Sequence, residues 1–480
     1  MSFPYKHLSA VVLATASFGT PVFAQDLAQE VVNEYFDEMR ASGMAVAPGA
    51  KDVSGSTVEW RDVVIGLPDA HGSYTLAFIK AEEIGGGKVS ISYPDEVIIK
   101  IDPEGEQPKM DMVLRTDGIE HIVSGVKGAR NHDMSADKLT VVMSSAEPAF
   151  SLNIDASDIV GHQVSSGSEM LHYKGDFKVA NLDVTYALDD GKTQMSTVGN
   201  YSDLAAEFDM DAISKETLDQ LFDGTRNMLV NYTMGSVSGT TDMNTPDMSM
   251  IIDTKGGSTV GTLTVQDGTF DMGGTAQDVA YNAKLKDMPM PPFSAEMATM
   301  TTHLKMPLKK ADTAMPARLQ LGFDGLKLSD TVWGMFDPTG SLPREAALLN
   351  IDLTAQVKWL IDALSATEAK SMPIEVESVE IKDVSLELAG AKLNGTGSAV
   401  VNNTSFPPMP VGELNLDLKG GVGLLDKLVA LGLVPQQQGQ MVKMMSGMFT
   451  VPGGDGADHL VSKIEMKEGG AILANGQRIQ

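Results

Sequence analysis

The 480-residue chain contains no cysteine. That excludes disulfides, thiol catalysis and cysteine-ligated metal together, and leaves burial and hydrogen bonding to hold the fold. Aromatic residues are few, 6% of the chain, whereas there are 30 methionines and 47 glycines. Small and flexible side chains in place of rings favour a wide sheet with a shallow core over a tightly packed enzyme barrel. Positive charge is scarce: 36 Lys and Arg face 64 Asp and Glu, for a net charge of -28. Such a field repels nucleic acid and bare anionic membrane, and it keeps a protein soluble. Long apolar runs are missing as well. The run over residues 8–18 is well short of the roughly 20 residues that span a bilayer, and no later segment is long enough.

Catalytic signatures are also missing. The eight histidines contain no H-x-H or H-E-x-x-H pair and read as isolated surface or turn residues. Ser124-Gly125-Val126-Lys127 and Ser135-Ala136-Asp137-Lys138 match a tetrapeptide of some serine hydrolases, without its partner motifs. Val237 stands where a G-x-S-x-G elbow needs its serine. Gly85-Gly86-Gly87 lacks the spacing of a phosphate loop. Asp155/Asp158, Asp189/Asp190 and Asp267/Asp271 lack the pattern of a calcium loop and read as solvated turn carboxylates. Carboxylate pairs for hydrolysis meet only in the fold, so that class stays open. An outer-membrane barrel fits poorly, because aromatic girdles and uniform ten-residue spans are missing.

What is present begins with residues 1–24, which read as a secretory signal peptide. Lys6 and His7 precede the apolar run, and Val22-Phe23-Ala24 gives a small-x-small site cut between Ala24 and Gln25. The expected product is exported and periplasmic. Asp26–Ala41 reads as a helix with Leu27, Val31, Tyr35 and Met39 on one face, closed by Gly43. From Thr57 onward short alternating runs end in Gly, Pro or Asp, the texture of an antiparallel meander. A second helix is expected over Ile213–Asp223, followed by more strands. Helix-then-strands therefore occurs twice, and the chain divides into lobes 25–208 and 209–480, with the question of duplication open. Pro289, Pro291 and Pro292 mark a loop or edge bend. Thr331–Phe336 reads as a short helix capped near Ser329, with a turn at Asp337–Gly340. Val357, Leu360, Ile361 and Leu364 suggest another short helix. Ile374–Val384 and Leu386–Val401 read as strands with bends at Gly390, Gly395 and Gly397.

The last seventy residues are the most sharply punctuated. Leu414, Leu416 and Leu418 alternate with polar residues in a half-buried strand. Leu424, Leu425, Leu428 and Leu431 mark a helix after Gly420-Gly421, and Pro435 opens a second one near its first turn. In that second helix Met441, Met444, Met445 and Met448 fall at i, i+3, i+4 and i+7, with Phe449 beside them. This stripe is either packed core or a deformable surface for lipid or a partner, since methionine suits adaptable contacts. Strands follow, ending in the hairpin pair Asn475-Gly476.

Residues 423–435 (GLLDKLVALGLVP), 441–449 (MVKMMSGMF) and 472–480 (ILANGQRIQ) resemble the C-terminal end of a bacterial family, domain of unknown function 2125. Residues 323–355 are similar to it too. The resemblance implies an envelope protein of alphaproteobacterial type and brings no catalytic residue or cofactor. A more distant analogy runs to AsmA-like envelope proteins. The expected fold is β-rich α+β: a long twisted antiparallel sheet, a few packed helices and a C-terminal helical hairpin. The expected function is non-enzymatic, holding a lipid or other amphiphilic envelope component or scaffolding envelope proteins, without nucleic acid. The rival is a periplasmic hydrolase with dispersed carboxylates.

Overall fold

The structure, a computed structural model, describes residues 24–480 apart from 42, 68–71, 102–108, 168–170, 213–223, 287–290, 363–372, 405–406, 455 and 457. Residues 1–23 of the leader and the helix expected over 213–223 thus lie outside the described residues, while Ala24 is described as the first residue of a helix. The described chain is strand-rich α+β, with 27 strands and four α-helices. Its ladders are antiparallel, as the period-two alternation predicts. The chain divides into two compact units: Met1–Leu221, Thr225–Asp253 and Leu285–Met288 form the first, and Phe222–Gly224, Thr254–Lys284 and Pro289–Gln480 the second.

In the first unit, helix α1 (Ala24–Ala41) precedes strands β1 (Ala45–Ala47), β2 (Lys51–Ser54), β3 (Thr57–Gly66), β4 (Gly72–Gly85) and β5 (Lys88–Ser92). Next come β6 (Glu96–Ile101), β7 (Met110–Asp117) and β8 (Glu120–Val126). The long strands β9 (Ala129–Ser145), β10 (Ala149–Ser166), β11 (His172–Asp189) and β12 (Gln194–Asp211) follow, then β13 (Met228–Met234) and β14 (Ser236–Asn244). The predicted helical stripe packs on the core, Val31 and Met39 buried and Leu27 and Tyr35 half-buried, and the buried face is wider than predicted. Ala28, Val31, Val32, Phe36 and Met39 pack with Val58, Trp60, Ile65, Ile79 and Val89 in one core. Phe36 meets Trp60 edge-on with centroids 5.9 Å apart, a favourable aromatic geometry. Gly43, at φ +86, closes the helix by donating its N–H to the Arg40 carbonyl.

The long strands are creased. Asp158 and Asp203 sit in the left-handed region in mid-strand, and the ladders skip one pair there, at 158/180 and 180/203. Aspartate tolerates this conformation because its short polar side chain bonds locally. Asp278 repeats the device in the second unit.

The strands from β15 (Ser249–Gly256) and β16 (Thr259–Gln266) onward continue the meander: β17 (Thr269–Leu285), β18 (Phe293–Pro307), β19 (Met315–Leu328), β20 (Ala347–Trp359), β21 (Ile374–Leu388), β22 (Ala391–Asn402) and β23 (Met409–Lys419). Helix α2 (Asp330–Phe336) lies between β19 and β20. After β23 come helices α3 (Gly421–Ala430) and α4 (Gln436–Phe449), the expected hairpin. It is followed by β24 (Val451–Pro452), β25 (His459–Met466), β26 (Ile472–Ala474) and β27 (Gln477–Arg478). β16 to β23 pair in sequence, and β25 rejoins at β23, so the helical hairpin is an insertion between adjacent strands.

Several local expectations change. Val357 belongs to β20, paired with Met315, and Leu360 and Ile361 are in a bend, so the helix expected from 357 does not begin there; Leu364 is not among the described residues. The ladder hydrogen bonds and the indole of Trp359, which donates to the Pro307 carbonyl at 2.6 Å, hold that segment extended. β21 runs on to Leu388, and the turn sits at Ala389-Gly390, both at positive φ. Gly395 and Gly397 stay in β22. Ser329 is the N-cap of α2, yet its hydroxyl accepts from the Ser294 N–H rather than capping. Pro435 is the N-cap of α4 rather than a first-turn residue. Asn475-Gly476 makes the expected tight turn, both residues at positive φ.

Candidate functional site

Register aligns the apolar residues of the second unit into rows. One row runs Leu263, Met272, Leu304, Leu319, Leu353, Ile381, Gly397, Leu414, Ile464, Ala474, across ten strands. A parallel row holds Phe323, Leu349, Leu386, Leu393, Leu418 and Leu460. At about 4.8 Å per strand the first row is roughly 40 Å long. The alternate residues form the opposite, charged face. There Arg318 grips Asp352 with two bonds of 3.0 and 2.9 Å, and Asp271 accepts from His303 and Lys305. The Arg318 guanidinium holds the Asp352 carboxyl below its usual range.

An apolar face normally packs on a second layer. Here the second unit's buried cluster is Trp333, Leu342 and Ala389, with Leu328, Leu424, Leu428 and Leu431 against it. These residues belong to the helices, to the end of β19 and to the loop and turn around Leu342 and Ala389. In the middle of the long row Met272, Leu304 and Leu319 are 41%, 38% and 48% exposed.

A protein-family model described as "Uncharacterized protein conserved in bacteria (DUF2125)" matches residues 236–475, half of the chain. The chain belongs to that family. The DUF2125 region contains β14 to β26, hence the whole apolar row and the helical hairpin. No curated protein and no solved structure matches the chain. The analogy to AsmA-like proteins is not supported by these comparisons.

Within the DUF2125 region the methionine stripe is on the outside. Met441, Met444, Met445 and Met448 are 51%, 68%, 47% and 60% exposed, Val442 is exposed, and Phe449 is half-buried. At 100° per residue these six side chains span about 160° of α4. The opposite side faces the protein and is small or polar. Gly439 is buried against Val429 of α3, where an added Cβ would lie 2.6 Å from the valine Cγ2. Lys443 pairs with Asp426 of α3 at 2.5 Å. The Phe449 carbonyl accepts from Ser462 and Asn475 at 2.6 and 3.0 Å, which pins the helix end. α3, by contrast, turns Leu424 and Leu428 inward, together with Leu431 at its C-cap. The packed-core alternative for the stripe is therefore overturned.

The histidines are not isolated either. The β8–β9 hairpin pairs Val123 with His132 and His121 with Met134, making the two imidazoles diagonal neighbours. His121 Nε2 lies 2.9 Å from His132 Nδ1, and the Tyr93 hydroxyl lies 2.9 Å from His121 Nδ1. Burial pushes the His121 imidazole down to about 4 and His132 down to about 2. His162, His172, His303 and His459 each contact an aspartate. Asp155 and Asp271 lie in strands with bonded partners; Asp190 lies in the turn, as expected, and Asp189, the last residue of β11, accepts from the Gly191 N–H of that turn.

Near the histidines, α1 carries two buried acids, Glu34 and Glu38, 6% and 7% exposed. Lys127 Nζ lies 2.7 Å from Glu34, and both Glu38 oxygens lack a hydrogen-bond partner among the described residues. Burial pushes Glu34 up to about 8, against the pull of Lys127. Burial, then the neighbouring Glu34, push Glu38 up to about 9. Helical periodicity placed these acids one turn apart; only docking of α1 showed that they are covered. Among the described residues no group of three His, Asp or Glu is spaced to hold a metal ion.

Proposed function

We propose that the protein is an exported envelope protein that holds an amphiphile by its hydrocarbon chain along the apolar face of the second unit. The observation that carries this is the row from Leu263 to Ala474, open to solvent at Met272, Leu304 and Leu319. It is long and narrow, aliphatic apart from Met272 and Gly397, and without charged or hydrogen-bonding side chains to read a specific head. An extended acyl chain matches that shape and chemistry, because apolar burial is non-directional. The leader pattern ending at Ala24 supports export. Binding is favoured over hydrolysis because, among the described residues, the two acids with raised affinity for protons, Glu34 and Glu38, are covered by packing and closed to a substrate.

Native mass spectrometry and lipid extraction of the protein from its own envelope test this reading. The expected result is a co-purified amphiphile that is lost in a folded Leu304→Glu/Leu319→Glu variant. A ligand-free mass overturns it and moves weight to scaffolding. The same spectra read the N-terminus: a chain starting at Gln25 agrees with export, and one retaining Met1 contradicts cleavage.

A further inference from the structure

Helix α4 is mounted the reverse of most surface helices, with its small and polar side inward and its apolar arc outward. Leu433, in the turn before it, and Val451, just past it, are exposed too, so apolar surface continues past both ends. The charge pattern is as unusual. From Gly421 to Phe449 the charged residues are two lysines, Lys427 and Lys443, against one aspartate, Asp426, in a chain of net charge -28. α4 itself contains no acidic residue.

From this face we propose that α4 docks the protein on a lipid bilayer, with Met441, Met444, Met445 and Met448 seated in the surface of a zwitterionic membrane. A helix with one apolar face and a rigid mounting is the form that lies in a membrane interface. The arc is the convex outside of a helix, which suits a flat surface and offers no row of side chains for a single chain to lie along. A second copy of the chain is disfavoured by bringing two charges of -28 together, whereas a zwitterionic surface does not repel the nearly neutral hairpin. The unbranched methionine side chain adapts to a fluid partner. The inference uses a different element from the acyl-binding face, and either stands without the other.

The test is flotation of the purified full chain with phosphatidylcholine vesicles. The wild type should float, a quadruple Met→Leu variant at these positions should float as well, and the quadruple Met→Asp variant should lose affinity by at least about a hundredfold. Adding phosphatidylglycerol at low salt should weaken flotation, and salt should restore it. Because the chain lacks cysteine, Met444→Cys accepts a single environment-sensitive fluorophore. A blue shift on adding vesicles supports docking even if the Met→Asp variant folds poorly. Failure of the wild type to float, or equal flotation of the Met→Asp variant, overturns the proposal. So does a wild-type dimer in sedimentation that Met→Asp dissociates without any vesicle binding, which would assign the face to a second copy. Loss of flotation with the co-purified amphiphile retained separates this proposal from the acyl-binding reading.

Discussion

The two units start from the same material, short alternating strands in antiparallel ladders, and finish them differently. In the first, α1 lies on the sheet, and a core of Val32, Phe36, Val58, Ile65, Ile79 and Val89 excludes water. In the second, α2 and α3 pack around Trp333 at strand ends, while Leu304 and Leu319 stay open in mid-sheet. Covering a face converts apolar area into stability. Leaving it open keeps the area available for a ligand, and the ladders then carry more of the fold.

Core truncation should separate the two most strongly. Phe36→Ala is expected to cost about 3–5 kcal/mol in urea unfolding, through lost contacts and a cavity against Trp60. An equal cost for Leu319→Ala would erase the contrast. Next, Trp333→Ala should cost about 3 kcal/mol and release the hairpin locally. Hydrogen exchange should then quicken in α3 and leave α1 unchanged.

A pH series sharpens the first unit. Glu34 and Glu38 hold their protons more tightly folded than unfolded. Their contribution is fully present below about pH 4.5 and is lost as pH rises toward about 8 to 9. His121 is held neutral, so its contribution is full above about 6.5 and is lost as pH falls toward about 4. The unit should be most stable between those limits. Glu38→Gln should raise stability at pH 8 by about 2 kcal/mol and flatten the alkaline side. An unchanged pH profile would show that Glu38 is solvated.

The smallest effect is expected on the open face. Leu304→Ala and Leu319→Ala together should change stability by less than about 1 kcal/mol, because both side chains are already partly in water. The same pair should reduce the amphiphile that co-purifies. A large loss of stability would mean that another layer covers this face.

The sequence by itself determined what depends on neighbours along the chain. Alternation determined the strands; the glycine, proline and asparagine punctuation determined the turn at Asn475-Gly476; a 3.6-residue stripe determined α1 and the closing hairpin. Where two structures compete over a short apolar run, local pattern misled: Val357 and its neighbours extend a ladder, because cross-strand bonds outweigh a weak helical stripe. Tertiary structure alone decided which way the stripes point. Periodicity gives the same arc for Leu424–Leu431 and Met441–Met448, yet one is turned in and the other out, since Gly439 and the Lys443–Asp426 pair seat α4 by its other side. It also decided the meeting of His121 with His132, the covering of Glu34 and Glu38, and the alignment of apolar residues from Leu263 to Ala474. Each of these depends on register or docking between segments distant in the chain, and no local window of sequence contains that information.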